Sequence, residues 1–160
     1  MKKLLALLLC AAMLCTLPVA LAETTEADTF TSASVSDFYG DSALTGDALM
    51  DAINSYSGFY IVSTTNPDGS ANSAYFIFAC VKHEDKYYLR MGLAQNQSRE
   101  NLIANGKGVA VYAAAPGDKP YATSGARMEF TVVTDADLLA ALGASETSFM
   151  CEITSIKPLG

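Results

Sequence analysis

Residues 59–65 read Phe59-Tyr60-Ile61-Val62-Ser63-Thr64-Thr65, followed by the run Asn66-Pro67-Asp68-Gly69-Ser70 and then Ala71-Asn72-Ser73-Ala74-Tyr75-Phe76-Ile77-Phe78-Ala79-Cys80-Val81-Lys82. The first seven are mostly aromatic or β-branched, the composition of a strand. Pro67 presets φ early in a turn, and Asp68-Gly69 supplies a residue that tolerates positive φ. The stretch from about Asn72 to Lys82 is expected to return antiparallel to the first strand. His83-Glu84-Asp85-Lys86 is a polar turn and Tyr87 to Met91 a third strand, so the pattern predicts a three-strand meander.

Working toward the C-terminus, Gly92 to Gln97 is a polar loop. Ser98 is the expected cap of a short helix to about Asn105, with Leu102 and Ile103 on its buried side. Val109 to Ala113 is a strand and Pro116-Gly117-Asp118 a turn. Tyr121 to Val133 is extended, with Gly125 marking a bulge or bend. Asp135 caps a helix through Leu142, and Phe149 to Ile156 closes the chain as a strand. Toward the N-terminus, Asp47 to Ser55 carries Leu49, Met50 and Ile53 at helical spacing, with Thr45 as its cap and Gly58 beyond its end. The result is mainly β: a six-stranded antiparallel barrel with three short helices.

The first residues set an expected compartment. Lys2 and Lys3 precede the apolar run Leu4 to Leu17, and Ala20-Leu21-Ala22 offers small residues for a signal peptidase. The run is shorter than the ~20 apolar residues that span a bilayer. Cys10 and Cys15 each follow a leucine, where lipid attachment wants a small residue. The expected organisation is a signal peptide over 1–22, a flexible leader over 23–44 and a folded domain over 45–160, with a secreted or extracytoplasmic product. Lys2 and Lys3 are the only charges before residue 23, so the remainder carries 8 basic against 17 acidic residues, a net charge of −9. That balance argues against a nucleic-acid partner, which needs clustered positive charge. Cys80 and Cys151 are left as either a disulfide or two buried thiols, and with one histidine there are too few ligands for a Cys/His zinc site.

Chemistry concentrates at the loop-to-helix junction. A helix start presents unpaired N–H groups and a partial positive charge, which suit phosphate. Ser98 adds a hydroxyl there and Arg99 a planar guanidinium. Gln95, Asn96, Gln97 and Asn101 add polar groups around the same point. A capped surface helix with an exposed arginine is the other reading of these residues. His83, between acidic neighbours in a turn, reads as solvated, and no G-x-S-x-G elbow is present.

The succession Tyr60-Ile61-Val62-Ser63-Thr64, Pro67-Asp68-Gly69-Ser70-Ala71-Asn72, Ser98-Arg99-Glu100-Asn101-Leu102 and Val109-Ala110-Val111-Tyr112 resembles the FMN-binding split β-barrels of the pyridoxamine 5′-phosphate oxidase superfamily. The resemblance runs from about Gly46 to Pro158. It implies that Ser98 and Arg99 contact the FMN phosphate and that Ser73-Ala74-Tyr75-Phe76 lies along the flavin ring. It also offers Arg90 as a second phosphate ligand and Arg127 as a further polar contact to the cofactor. A homodimer with the cofactor at its two-fold interface, and an FMN-dependent oxidoreductase, follow from the same resemblance. Relatives also bind a deazaflavin or heme, and a barrel that binds a small ligand or partner without redox activity is the alternative. Ser124-Gly125-Ala126-Arg127 puts arginine where covalent FMN attachment needs a hydroxyl, so the cofactor is expected to be held non-covalently.

Overall fold

The computed structural model describes residues 43–55, 59–92, 94–114 and 124–159. These lie within one compact unit, Thr31–Gly160. The expected signal peptide, most of the leader and the Pro116-Gly117-Asp118 turn lie outside the described residues. In chain order the elements are α1 (Gly46–Asn54), β1 (Phe59–Thr65), β2 (Ala71–Tyr75), β3 (Phe78–His83), β4 (Lys86–Gly92), α2 (Gln97–Asn105), β5 (Lys107–Ala114), β6 (Ser124–Val132), α3 (Ala136–Ala141) and β7 (Ser148–Lys157).

There are seven strands rather than six, because the expected strand 72–82 is two. β2 pairs with β1, whereas β3 pairs with β4, and the sheet order is β2-β1-β5-β6-β7-β4-β3 with every pairing antiparallel. The predicted three-strand meander therefore does not form. β2 and β3 are separated only by Phe76 and Ile77, yet they occupy opposite edges of the sheet. The sheet must curl to bring those edges to one place, which makes an antiparallel barrel split at the seam between β2 and β3. The Phe76 N–H donates to the Tyr60 carbonyl at 3.0 Å, the last link before the chain changes edge.

The interior is apolar, and two helices face it. Leu49 and Ile53 of α1 and Leu102 of α2 join Tyr60, Val62, Phe78, Leu89, Met91, Tyr112, Met128 and Phe130 in one buried cluster. The Tyr60 ring meets Phe78 edge-on at 4.8 Å, and its hydroxyl donates to the Ile53 carbonyl at 2.6 Å. This satisfies a buried polar group at the turn where α1 ends. Asn54 closes the free edge of β3: its Nδ2 donates to the Cys80 carbonyl, and the Cys80 N–H donates to its Oδ1, both at 2.9 Å. One side-chain amide thus occupies an edge that would otherwise template another strand. A second cluster, Tyr88, Leu142 and Met150, lies where α3 covers the outer face of β4 and β7.

Four local expectations change: Ile103, expected on the buried side of α2, is exposed, and only Leu102 of that pair is buried. α2 is capped by Asn96, whose side chain accepts the Arg99 N–H at 3.0 Å, and not by Ser98. Thr45 occupies the N-cap position of α1 without a side-chain bond, whereas Asp135 does cap α3 through the Leu138 N–H at 2.8 Å. Gly125 stays in register opposite Ala113; the irregularity is at Glu129/Phe130, where β7 contributes the extra residue Thr154. Cys80 and Cys151 are free and buried. Both pair with Leu89 from opposite sides, so their backbones stand two strand spacings apart, ~10 Å, beyond disulfide reach.

Candidate functional site

Strand alternation divides the expected site residues between the inner and outer faces of the sheet. Along residues 71–80 the even positions turn inward and the odd ones outward, and the alternation runs through the strand switch without a change of phase. Asn72 and Thr64 therefore point inward as a paired rung of β1 and β2. They meet the helix that follows β4. Asn72 Nδ2 donates to Ser98 Oγ at 2.8 Å and to Thr64 Oγ1 at 3.1 Å. Asn101 Nδ2 donates to Thr64 Oγ1 at 3.0 Å and to Asn66 Oδ1 at 2.9 Å, while its Oδ1 accepts from Gln97 Nε2 at 2.8 Å. Asn105 Nδ2 adds a bond to the Thr65 carbonyl at 2.9 Å.

Ser98 and Asn101 are each 2% exposed, so this network faces the protein rather than solvent. No buried side-chain polar atom among the described residues lacks a partner. Thr64, Asn66 and Asn72, which sequence reasoning did not single out, complete the network. Their signal was polar residues at inward positions on both sides of the Pro67-Asp68-Gly69 turn. The hairpin thus holds α2, and α2 presents Arg99.

Arg99 reaches toward the end of the β4–β7 pair. Its guanidinium carbon lies 5.7 Å from the Phe149 ring centroid, and a terminal nitrogen lies 3.9 Å from the Glu100 carboxylate. Phe149 pairs with Met91, Ser148 with Gly92, and Met150 with Arg90. Phe149 packs against the interior cluster, while Arg90 is exposed on the outer face. The two arginines therefore bracket the same strand ends from opposite faces. On the outer side, Arg90, Gly92, Ile77 and Ser148 line a concavity of ≈ 430 Å³ together with Thr147 and Gly143. Ile77 is 57% exposed, and Tyr75, two residues earlier on the same outward phase, is 62% exposed.

The other expected residues go elsewhere. Gln95 is exposed in the loop before α2, and Phe76 turns inward against the core. Ser73 faces outward, its hydroxyl 2.7 Å from that of Ser63. Arg127 lies on the outer face of β6 between Val111 and Lys157, in a separate concavity. The structure sets Arg90 and Arg99 on opposite faces of the same strand ends, and Ser73 and Arg127 lie apart from both. His83 ends β3 opposite Lys86. Among the described residues no group of His, Cys, Asp or Glu side chains is arranged to hold a metal.

No family model matches the chain, and no curated protein matches it. Solved structures do. An FMN-binding protein from Syntrophomonas wolfei subsp. wolfei superposes with a TM-score of 0.55 at 15% identity, over 71% of this chain and 85% of that one. The chain has the split β-barrel fold. Group A Streptococcus HupZ superposes on this barrel with a TM-score of 0.51 at 17% identity, over 72% of this chain and 94% of that one. A histidine-to-alanine variant of HupZ gives 0.52 at 18% identity, over 71% and 98%. The split barrel read from the order of motifs is thus the fold observed, with the strand switch as its defining feature.

Proposed function

We propose that this split barrel is an exported flavin-binding protein that holds FMN non-covalently and serves in an oxidoreductase reaction. The observation that carries the reading is the concavity in which exposed apolar surface meets a guanidinium. Ile77, with Tyr75 beside it, offers a face for a flat ring, and Arg90 stands in the same hollow without a carboxylate within 4.0 Å among the described residues. Its ≈ 430 Å³ falls within the range of small-molecule sites. Arg99, held at the other side of the strand ends, supplies a second cation for a phosphate. Ser98 and Asn101 would act by fixing α2, and Gln95 would remain an outer amide. Bound flavin would supply the hydride or electron chemistry, and the protein would bind and orient it. The Syntrophomonas wolfei neighbour is an FMN-binding protein, which supports the same assignment.

Exposed Ile61, Tyr75 and Ile77 form an apolar strip beside the hollow, on which a second copy would rest to give a two-fold dimer with two identical sites. Export rests on residues 1–22, with cleavage after Ala22, and would be checked by the mass of the N-terminal peptide of protein recovered outside the cytoplasm. The deciding experiment is a visible spectrum of the purified protein before and after adding FMN. Flavin bands and quenched flavin fluorescence are expected. A spectrum characteristic of heme or deazaflavin would reassign the cofactor. No bound chromophore and no quenching would leave a non-redox binding barrel.

A further inference from the structure

Four of the seven basic side chains among the described residues, Lys82, Lys86, Arg99 and Lys157, lie within 4.0 Å of a carboxylate. Three do not. Arg90 belongs to the hollow above, and the other two, Lys107 and Arg127, share one face of the sheet. Alternation places them: Ala110 and Tyr112 of β5 and Ala126, Met128 and Phe130 of β6 are buried inward. Lys107 and Val109 on β5, and Arg127, Glu129 and Thr131 on β6, therefore turn outward. The rungs pair Lys107 with Thr131, Val109 with Glu129, and Val111 with Arg127.

Two concavities adjoin on this face. One of ≈ 470 Å³ holds Lys107 with the hydroxyl residues Ser63, Thr131 and Thr154. The other, of ≈ 150 Å³, holds Arg127 and Lys157. Both are lined by Val109 and Glu129, so they form one groove with a cation at each end. Thr154 is there because the β-bulge gives β7 its extra residue, and its hydroxyl bonds the Glu129 carbonyl at 3.2 Å. Glu129 is the one acid among the described residues that line the groove, and Lys157 Nζ engages it at 2.5 Å. Among the described residues this leaves Lys107 and Arg127 without a carboxylate within 4.0 Å, in a chain whose residues after 22 carry net −9. From residue 107 to the rung of residue 111 is four steps along β5, ~13 Å at the rise of a strand.

We propose that this groove binds an elongated organic anion with an acidic oxygen group at each end: one end on Lys107, the other on the Arg127 fork, and an apolar spacer over Val109. A guanidinium and an ammonium held apart across a valine select against short or single-ended anions, because either leaves one cation unmatched. The inference uses no residue of the flavin hollow, so either can fail without the other.

The test is a titration of the isotopically labelled protein, followed by amide NMR, with straight-chain dicarboxylates from succinate to sebacate and with octanoate as the single-ended control. Shifts are expected at Lys107, Val109, Arg127 and Glu129, with sebacate binding about tenfold tighter than succinate or octanoate. Lys107→Gln and Arg127→Gln should each remove that preference while the rest of the spectrum stays unchanged. Equal binding of all three acids would overturn the proposal. So would shifts centred on Arg90 and Gly92, which would give the ligand to the other hollow. Broadening of this face with protein concentration alone would assign it to a second copy and likewise end the proposal.

Discussion

Thr64 Oγ1 accepts from two asparagines, Asn72 and Asn101, which come from different elements. A hydroxyl oxygen has two lone pairs, so both are used as acceptors and its proton is left to donate. Removing Asn101 would strand partners on three residues at once: Thr64, Asn66 and Gln97. Asn101→Ala is therefore expected to cost about 2–4 kcal/mol, as buried polar groups lose partners. Urea denaturation measures this, and a loss under about 0.5 kcal/mol would mean that water replaces the amide without penalty. Gly125 is constrained differently. Its φ is 154°, and a Cβ there would stand 2.1 Å from the Tyr112 carbonyl oxygen, a backbone atom that cannot step aside without parting β5 from β6. Gly125→Ala should destabilise by more than about 3 kcal/mol, more than an ordinary surface substitution by a wide margin.

At the scale of elements, the hairpin of β3 and β4 turns at Glu84-Asp85, and Glu84 adopts φ 52°. An L-residue other than asparagine or glycine pays about 1–2 kcal/mol in that region. Glu84→Asn should raise Tm by a few degrees in a thermal melt, with the fold unchanged. The same hairpin is tied to α1: Lys82 Nζ and Tyr87 Oη both donate to Asp47 Oδ1 at 2.8 Å. Those bonds hold the Asp47 carboxyl below its ordinary value, Lys82 contributing most. A lowered native pKa gives stability that is complete above the unfolded pKa of about 4 and is lost as pH falls through the native value. Asp47→Asn should therefore lower Tm at pH 6 and make little difference near pH 2; equal differences at both pH values would contradict the linkage. Most elements were legible from periodicity and turn residues. The break between β2 and β3 was not, because inward and outward positions keep their phase through Phe76-Ile77 and neither residue is Gly or Pro. A strand that changes partner without changing face leaves no mark in a period-2 pattern. The site was half legible for the same reason: Arg90 and Arg99 were visible as cations, whereas Ser98 and Asn101 pointing inward depended on Asn72 and Thr64 across the barrel.

For the whole molecule, the barrel's closure decides what its thiols do. Cys80 and Cys151 lie on inward positions of β3 and β7, on either side of Leu89, and each belongs to the interior cluster. Burial pushes the Cys80 thiol up to about 11 and the Cys151 thiol up to about 12. In the unfolded chain both would ionise near the ordinary cysteine value of about 8.5. Raised native values mean that their contribution to stability is complete below the unfolded pKa and is lost progressively as pH rises through the native ones. Between about pH 8.5 and 10.5 the unfolded chain releases thiol protons that the native barrel still holds, so the urea midpoint should fall with pH. The double variant Cys80→Ala, Cys151→Ala should start from a lower midpoint, because it empties core volume, yet show a flatter pH dependence over that window. A maleimide added to the native protein should leave both thiols unlabelled at neutral pH and label them together as urea opens the barrel. Two separate labelling transitions would place β3 and β7 in different cooperative units, whereas a single one coincident with loss of tyrosine burial would show that the split seam and the closed side of the barrel unfold as one.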